Sequence, residues 1–372
     1  MNPINSEQLF FEIFKAGLWE TNIQIAPYGK VDYEALIRIA REQSVVGLIA
    51  AGLEHVTDMK VPQEIALTIA GEVLQLEQRN VAMNQLISNL IGQMRSSDIY
   101  TLIVKGQGIA QCYERPLWRA SGDVDFYMSE ENFIKAREFF RPIVTNITPD
   151  YDKARRIEMN YGSWVIELHA DQYISTSIKA NYVLDEIHHD LFFGGNVRSW
   201  DNNGTTVFLP SPDNDVIIVF THFLNHFYKG GVGLRQICDW CRLLYTFRES
   251  LDHALLESRI RKMGLLTEWK AFAMFAVDYL GMPDVYMPLY HSSPRMRKKA
   301  RLIKNFVMNV GNFGHNRDYD YFERYPYIIR KMISMWVRIK DIFLHARIFP
   351  LNTVMFSISI IFYGIRNAIR GE

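Results

Sequence analysis

The chain has 372 residues, 48% of them hydrophobic and 13% aromatic, enough for a packed core and inconsistent with a disordered chain. Forty-one basic residues balance 41 acidic ones, so no global charge marks a nucleic-acid or acidic-polymer binder. Three cysteines (Cys112, Cys238 and Cys241) are too few for a disulfide framework and suit a reducing cytoplasm, and the opening MNPINSEQLFFEIF is amphipathic, unlike a signal peptide.

In chain order, residues 1–97 read as a helical region. Ser6 is placed to cap EQLFFEIFKAGLW, whose apolar residues recur at helical spacing. Asp32 opens a second helix, YEALIRIAREQSV, and VGLIAAGLEHV is apolar enough to be a buried third. Pro62 suits the first turn of a long helix running to about Arg95. The plain role of this layer is scaffold; its sharper role is one wall of a ligand cleft.

Residues 98–210 read as an α/β core. Within IYTLIVKGQGIAQCYERPLWRASGDVDFYM, a buried strand ends at Lys105-Gly106, a short helix and polar loop follow, and a second strand opens with Asp123-Val124-Asp125. Alternate residues of a strand share a face, so Asp123 and Asp125 point together while Val124 points to the core. Two adjacent carboxylates repel unless a cation sits between them, and such hard oxygen ligands suit Mg²⁺ completed by substrate phosphates. Gly122 removes a side chain where a phosphate would approach, Lys105 supplies a point charge beside it, and Arg119 a second. A solvated strand end is the competing plain reading. Ser129 caps a helix over EENFIKAREFF, and residues 155–161 and 163–171 read as strands joined near Gly162. In WVIELHAD, Val165, Glu167 and His169 share a face, so Glu167 offers a third carboxylate, as metal ligand or general base, with Asp171 as its rival. Asn202-Asn203-Gly204 predicts a closing hairpin.

Residues 211–372 return to helical spacing. Pro212 leads DNDVIIVFTHFLNHFYKGG, and LRQICDWCRLLYTF, LDHALLESRIRKMG and LTEWKAFAMFAVDYLG follow, expected as a four-helix bundle closing over the core. His222 and His226 share a helix face, but no Glu follows the first, so the hydrolytic zinc motif is absent and satisfied cleft histidines are the plainer reading. Arg235 and Asp239, also four apart, suggest a structural ion pair. Cys238-x-x-Cys241 has no second pair and reads as core packing. RMRKKARLIK (295–304) is a solvated helix face or a contact for something anionic, residues 312–327 read as loop, and the apolar run 351–365 falls short of the ~20 residues a spanning helix needs.

The order strand, Lys-Gly, short helix with Tyr113, Arg119, then Gly-Asp-x-Asp resembles the nucleotidyltransferase superfamily with the DNA polymerase β-like fold. More narrowly, it resembles an uncharacterised bacterial family in which Lys-Gly stands where Gly-Ser is usual; Gln107 then occupies a position where the wider superfamily prefers Ser. Glu167-Leu168-His169, His222, His226 and the segment from Arg235 to Asp239 extend the resemblance over roughly residues 74–244. It implies an α+β fold: a mixed-sheet nucleotidyltransferase core with an N-terminal helical layer and a C-terminal helical bundle. It also implies an enzyme that moves a nucleoside monophosphate from an NTP, ATP among them, to a hydroxyl or phosphate of an unidentified small molecule, sugar or protein. Asp123, Asp125 and Glu167 would hold Mg²⁺ or Mn²⁺ and carry catalysis, with Lys105, Gly106, Arg119, Gly122, His169, His222 and Arg235 contacting nucleotide. The alternative is a non-catalytic, nucleotide-sensing or membrane-associated protein on the same scaffold. The expected location is cytoplasmic, with peripheral contact at the inner membrane face through the basic, apolar C-terminal region, and nucleic acid is not an expected partner.

Overall fold

A computed structural model describes residues 3–147, 155–174, 177–311, 325–354 and 357. Of the loop expected at 312–327, residues 312–324 lie outside the described residues, as does most of the apolar run 351–365, while Tyr327 already belongs to a helix.

Three helices open the chain: α1 (Pro3–Trp19), α2 (Tyr33–Glu42) and α3 (Val46–Glu54). α1 begins at Pro3 rather than after Ser6, since proline, lacking an N–H, fits a first helical turn. Asp32 caps α2 by accepting from the Ala35 N–H. Gly17 and Gly52 let α1 and α3 touch backbone to backbone; a Cβ on Gly17 would lie 1.8 Å from the Leu48 carbonyl oxygen.

The 34-residue α4 (Gln63–Ser96) then runs about 50 Å, from this helical group to the sheet. Pro62 stands just outside it, at the cap, instead of in its first turn.

The sheet has six strands in the order β3-β4-β2-β1-β6-β5. In chain order these are β1 (Leu102–Val104), β2 (Asp123–Tyr127), β3 (Arg156–Tyr161), β4 (Trp164–His169), β5 (Val197–Asn202) and β6 (Thr205–Pro210). β2 pairs with β4 and β1 with β6 in parallel, and the other neighbours are antiparallel, so the sheet is mixed and the α+β class expected from the sequence is what the structure has. Asn203 and Gly204, both at positive φ (52° and 84°), make the two-residue turn of the β5–β6 hairpin. Between strands lie α5 (Gly106–Ala110), α6 (Glu130–Phe140) and α7 (Ile178–Phe192). α7 is missing from the sequence reading, although the Ser177 cap and the helically spaced Val183, Leu184, Ile187 and Leu191 signal it.

Period-two alternation divides the sheet's faces. Val124, Phe126, Ile166, Leu168, Ile157 and Met159 pack with the C-terminal half of α4 and with α6 in one apolar cluster. The opposite face carries Asp123, Asp125 and Glu167 and looks toward the C-terminal helices α8 (Pro212–Lys229) and α9 (Leu234–Thr246). α10 (His253–Met263), α11 (Leu266–Leu280), α12 (Pro294–Val310) and α13 (Tyr327–Ile348) follow, and residues 350–354 are helical again.

The expected four-helix bundle is only part of the arrangement. α8 to α11 share one apolar cluster with α1 to α3 and α12, because α1's Phe10 and Phe14 need a partner face as much as Phe272 and Trp269 do. Of these four helices, α8 and α9 supply the residues that line the cleft. Cys112, Cys238 and Cys241 are all buried thiols, and burial raises the pKa of each.

Candidate active site

A cleft of about 670 Å³, its open mouth included, lies between the polar sheet face and α8–α9. Its floor is carboxylate. Parallel pairing sets Asp125 beside Glu167 and Asp123 beside Val165, so the three acids share one face of two bonded strands. Glu167, rather than Asp171, faces this cleft; Asp171 lies past the end of β4, where it accepts from Arg155 at 2.7 Å.

Each acid sits in a different environment. Asp125 is buried, which alone would raise its pKa, but the Lys105 ammonium (2.8 Å) and the His169 ring (Nε2, 2.9 Å) hold it well below the usual carboxylate range. Glu167 is also lowered: against burial and the Asp125 charge stand His169, 3.1 Å away, and Arg156, 2.5 Å away. Asp123 has no such close cation. Burial, and then the charges of Asp125 and Glu167, push it up to about 6. Three neighbouring carboxylates thus titrate apart because cations pair closely with only two of them, while Lys105 and Arg235 act on Asp123 from further off.

His169 does not line the cleft as a nucleotide contact would. It stands behind the acids, its Nε2 within reach of both Asp125 and Glu167, and these three side chains bring ligand atoms within 4.8 Å of one another. Two carboxylate oxygens with an imidazole nitrogen, and Asp123 one pleat away, form a donor set able to hold a divalent metal ion.

Lys105 holds its position at a backbone cost. Its φ of 58° and ψ of −147° belong to a region that glycine occupies readily and other residues rarely. Gln107 points out of the cleft; buried, it donates to Asn80 of α4 (3.0 Å), and Asn80 in turn donates to the carbonyls of Leu117 and Arg119. On the other side, Arg235 donates to the Ala120 carbonyl at 2.7 Å. The loop before Asp123 is therefore gripped from both flanks. At its end Gly122 is exposed, and a Cβ there would meet open space, leaving room for a ligand against the backbone.

Arg119 was expected as a phosphate contact, but most of its donors are already engaged. Buried, it makes a two-point pair with Asp239 (2.8 and 2.6 Å) and donates to Ser121 and to the Ala120 carbonyl. Tyr113 donates its hydroxyl to the same Asp239. The Arg235–Asp239 pair suggested by helical spacing is thus replaced by one from a distant segment. Arg235 keeps a buried Nε–H without a partner, and burial, then Arg119, lowers its pKa. His222 and His226 face each other at 3.1 Å on the cleft wall; burial and Lys105 lower both, His226 to about 4, so both are neutral at pH 7. Arg156 was not singled out in the sequence, although it lies on the same alternating face as Glu158 and Asn160 of the edge strand β3.

A family described as uncharacterised nucleotidyltransferase matches residues 29–281, and the chain belongs to it. No curated protein matches the chain. Among solved structures, an antigenic nucleotidyltransferase-like protein from Paracoccidioides brasiliensis is similar over 50% of this chain and 90% of its own, at 15% identity and a TM-score of 0.30.

Proposed function

We propose that the protein is a metal-dependent nucleotidyltransferase that moves an NMP group from an NTP to a hydroxyl or phosphate of an acceptor, releasing pyrophosphate. The observation that carries this reading is the set Asp123, Asp125 and Glu167 on one face of two parallel strands, under a cleft walled by Lys105, Arg156 and Arg235. A divalent ion held by the three carboxylates, with His169 as a further donor, would polarise the reacting phosphate and favour an ionised acceptor oxygen.

The chain's own residues supply the rest. Lys105, Arg156 and Arg235 neutralise the triphosphate and the charge that grows on the leaving pyrophosphate. Gly122 leaves space for the phosphates to approach the backbone. Asp123, whose pKa burial and its acidic neighbours raise to about 6, is available either to ligate or to take the acceptor's proton. Arg119 and Asp239 act through the loop they pin, not by touching phosphate.

The test is calorimetric: each of the four NTPs is titrated into wild type with Mg²⁺ or Mn²⁺, with EDTA, and into Asp123→Asn/Asp125→Asn. Metal-dependent binding lost in the folded double variant is the expected result; a folded wild type that binds no NTP overturns the reading. The ion pairs that already neutralise Asp125 and Glu167 also support a second reading, nucleotide binding without transfer. Metal-dependent binding without pyrophosphate release on any acceptor would select it.

A further inference from the structure

α13 has two unlike faces. Asp341, His345 and Ile348 turn inward and are buried, with the His345 ring against Phe227 and Phe306. At 100° per residue, Ile329, Met332, Trp336 and Phe343 fall on one arc of the opposite side. Met332, Trp336 and Phe343 are 60%, 59% and 70% exposed, so this face meets no other described part of the chain closely. Single exposed apolar residues are ordinary, but a contiguous row on one helix is the signature of an interface.

Charge identifies what covers it. α13 has five cations and one acid in its 22 residues; Arg330 and Arg338 fall toward the packed side with the buried acid Asp341, which leaves the outward arc with cations and no acid. In a chain with equal numbers of acidic and basic residues, this is a strong local excess. Lys340 and Arg347 fall on the apolar arc itself, with the Lys340 ammonium 5.8 Å from the Trp336 ring centre.

Lysine is depleted from the cores of protein–protein interfaces. Cations rising from between Trp, Phe and Met side chains are instead the composition of a helix lying in a lipid headgroup layer, the aliphatic stems buried and the charges at the phosphates. Among the described residues no helix is long and apolar enough to cross a membrane, so α13 would lie along the surface.

We propose that the outward face of α13 docks on an anionic phospholipid surface. This inference is independent of what the cleft binds. The full chain is co-sedimented with phosphatidylcholine vesicles and with vesicles containing phosphatidylserine, at low and high salt. Binding is expected only with the anionic lipid and is weakened by salt. With about fivefold in affinity per surface cation, Lys340→Ala/Arg347→Ala should bind about thirtyfold more weakly. Trp336→Ala/Phe343→Ala should lose most binding while both variants, altered only at exposed positions, keep the wild-type circular dichroism spectrum and melting temperature. Failure of wild type to sediment at low salt overturns the proposal, as does binding unaffected by either variant. A dimer in sedimentation velocity that the Trp336→Ala/Phe343→Ala change dissociates, without lipid binding, overturns it in favour of a second copy as the occupant.

Discussion

The pair Arg119–Asp239 makes the sharpest prediction. Both side chains are buried, two charge-assisted bonds join them, and Asp239 also accepts from Tyr113. Asp239→Leu would leave a buried guanidinium with no counter-ion and a buried hydroxyl with no acceptor. Removing one partner of a buried pair costs about 3–5 kcal/mol. The pieces are not additive, because the Tyr113 bond and the ion pair share one carboxylate. Replacing both charges, in Arg119→Met/Asp239→Leu, removes the stranded cation and should recover most of that loss, since apolar substitution of a whole buried pair is often neutral. Urea unfolding followed by circular dichroism measures both. Nucleotide affinity should separate from stability: the double variant regains its unfolding midpoint yet binds NTP more weakly, because residues 119–122 lose one of their two ties to α9 and keep only the Arg235–Ala120 bond. An Asp239→Leu variant within about 0.5 kcal/mol of wild type, the range of ordinary surface changes, would refute the reasoning, as would a double variant no more stable than the single.

Two further outcomes follow from the acids. Asp123 titrates at about 6 when folded against 3.8 in its ordinary state, so the folded protein holds this proton longer and stability falls as pH rises from about 4 through about 6. Asp123→Asn should therefore be more stable than wild type at pH 7.5 by about 1–3 kcal/mol, each pH unit being worth about 1.4 kcal/mol. The gap should close below pH 4, and urea midpoints that show no pH-dependent difference would count against it. Arg156 neutralises Glu167 at the cleft mouth, so Arg156→Gln should tighten Mn²⁺ binding to the nucleotide-free protein severalfold. The same change should weaken metal–NTP binding about tenfold, the value of one charge-assisted bond. If calorimetry finds both affinities falling together, Arg156 is only structural.

Much of the site was legible because it rests on local rules. Strand alternation alone puts Asp123 with Asp125 and Glu167 with His169, and Asn203-Gly204 specifies its hairpin by backbone conformation. What escaped depends on packing between distant segments. No spacing rule links Arg119 to Asp239, separated by 120 positions, whereas the four-residue spacing of Arg235 and Asp239 suggested a pair that the fold does not use. Arg156 acquires its role from the register of β3 on β4, which sets Arg156 opposite His169 and Glu158 opposite Glu167. Gln107 could be read only as a departure from a motif; its partner, Asn80, lies on a helix whose path across the loop was not legible. The merging of α1 with α8–α11 in one core is likewise invisible to periodicity, which says that a face is apolar but not which face covers it.

Lys105 occupies a backbone conformation suited to glycine, and holding a lysine there costs about 1–3 kcal/mol. The position therefore couples two demands: the turn suits glycine, while the buried Asp125 takes its ammonium partner from this same residue. No single substitution meets both, since Lys105→Gly relaxes the backbone but leaves Asp125 with His169 alone, and Lys105→Met keeps the distortion without the charge.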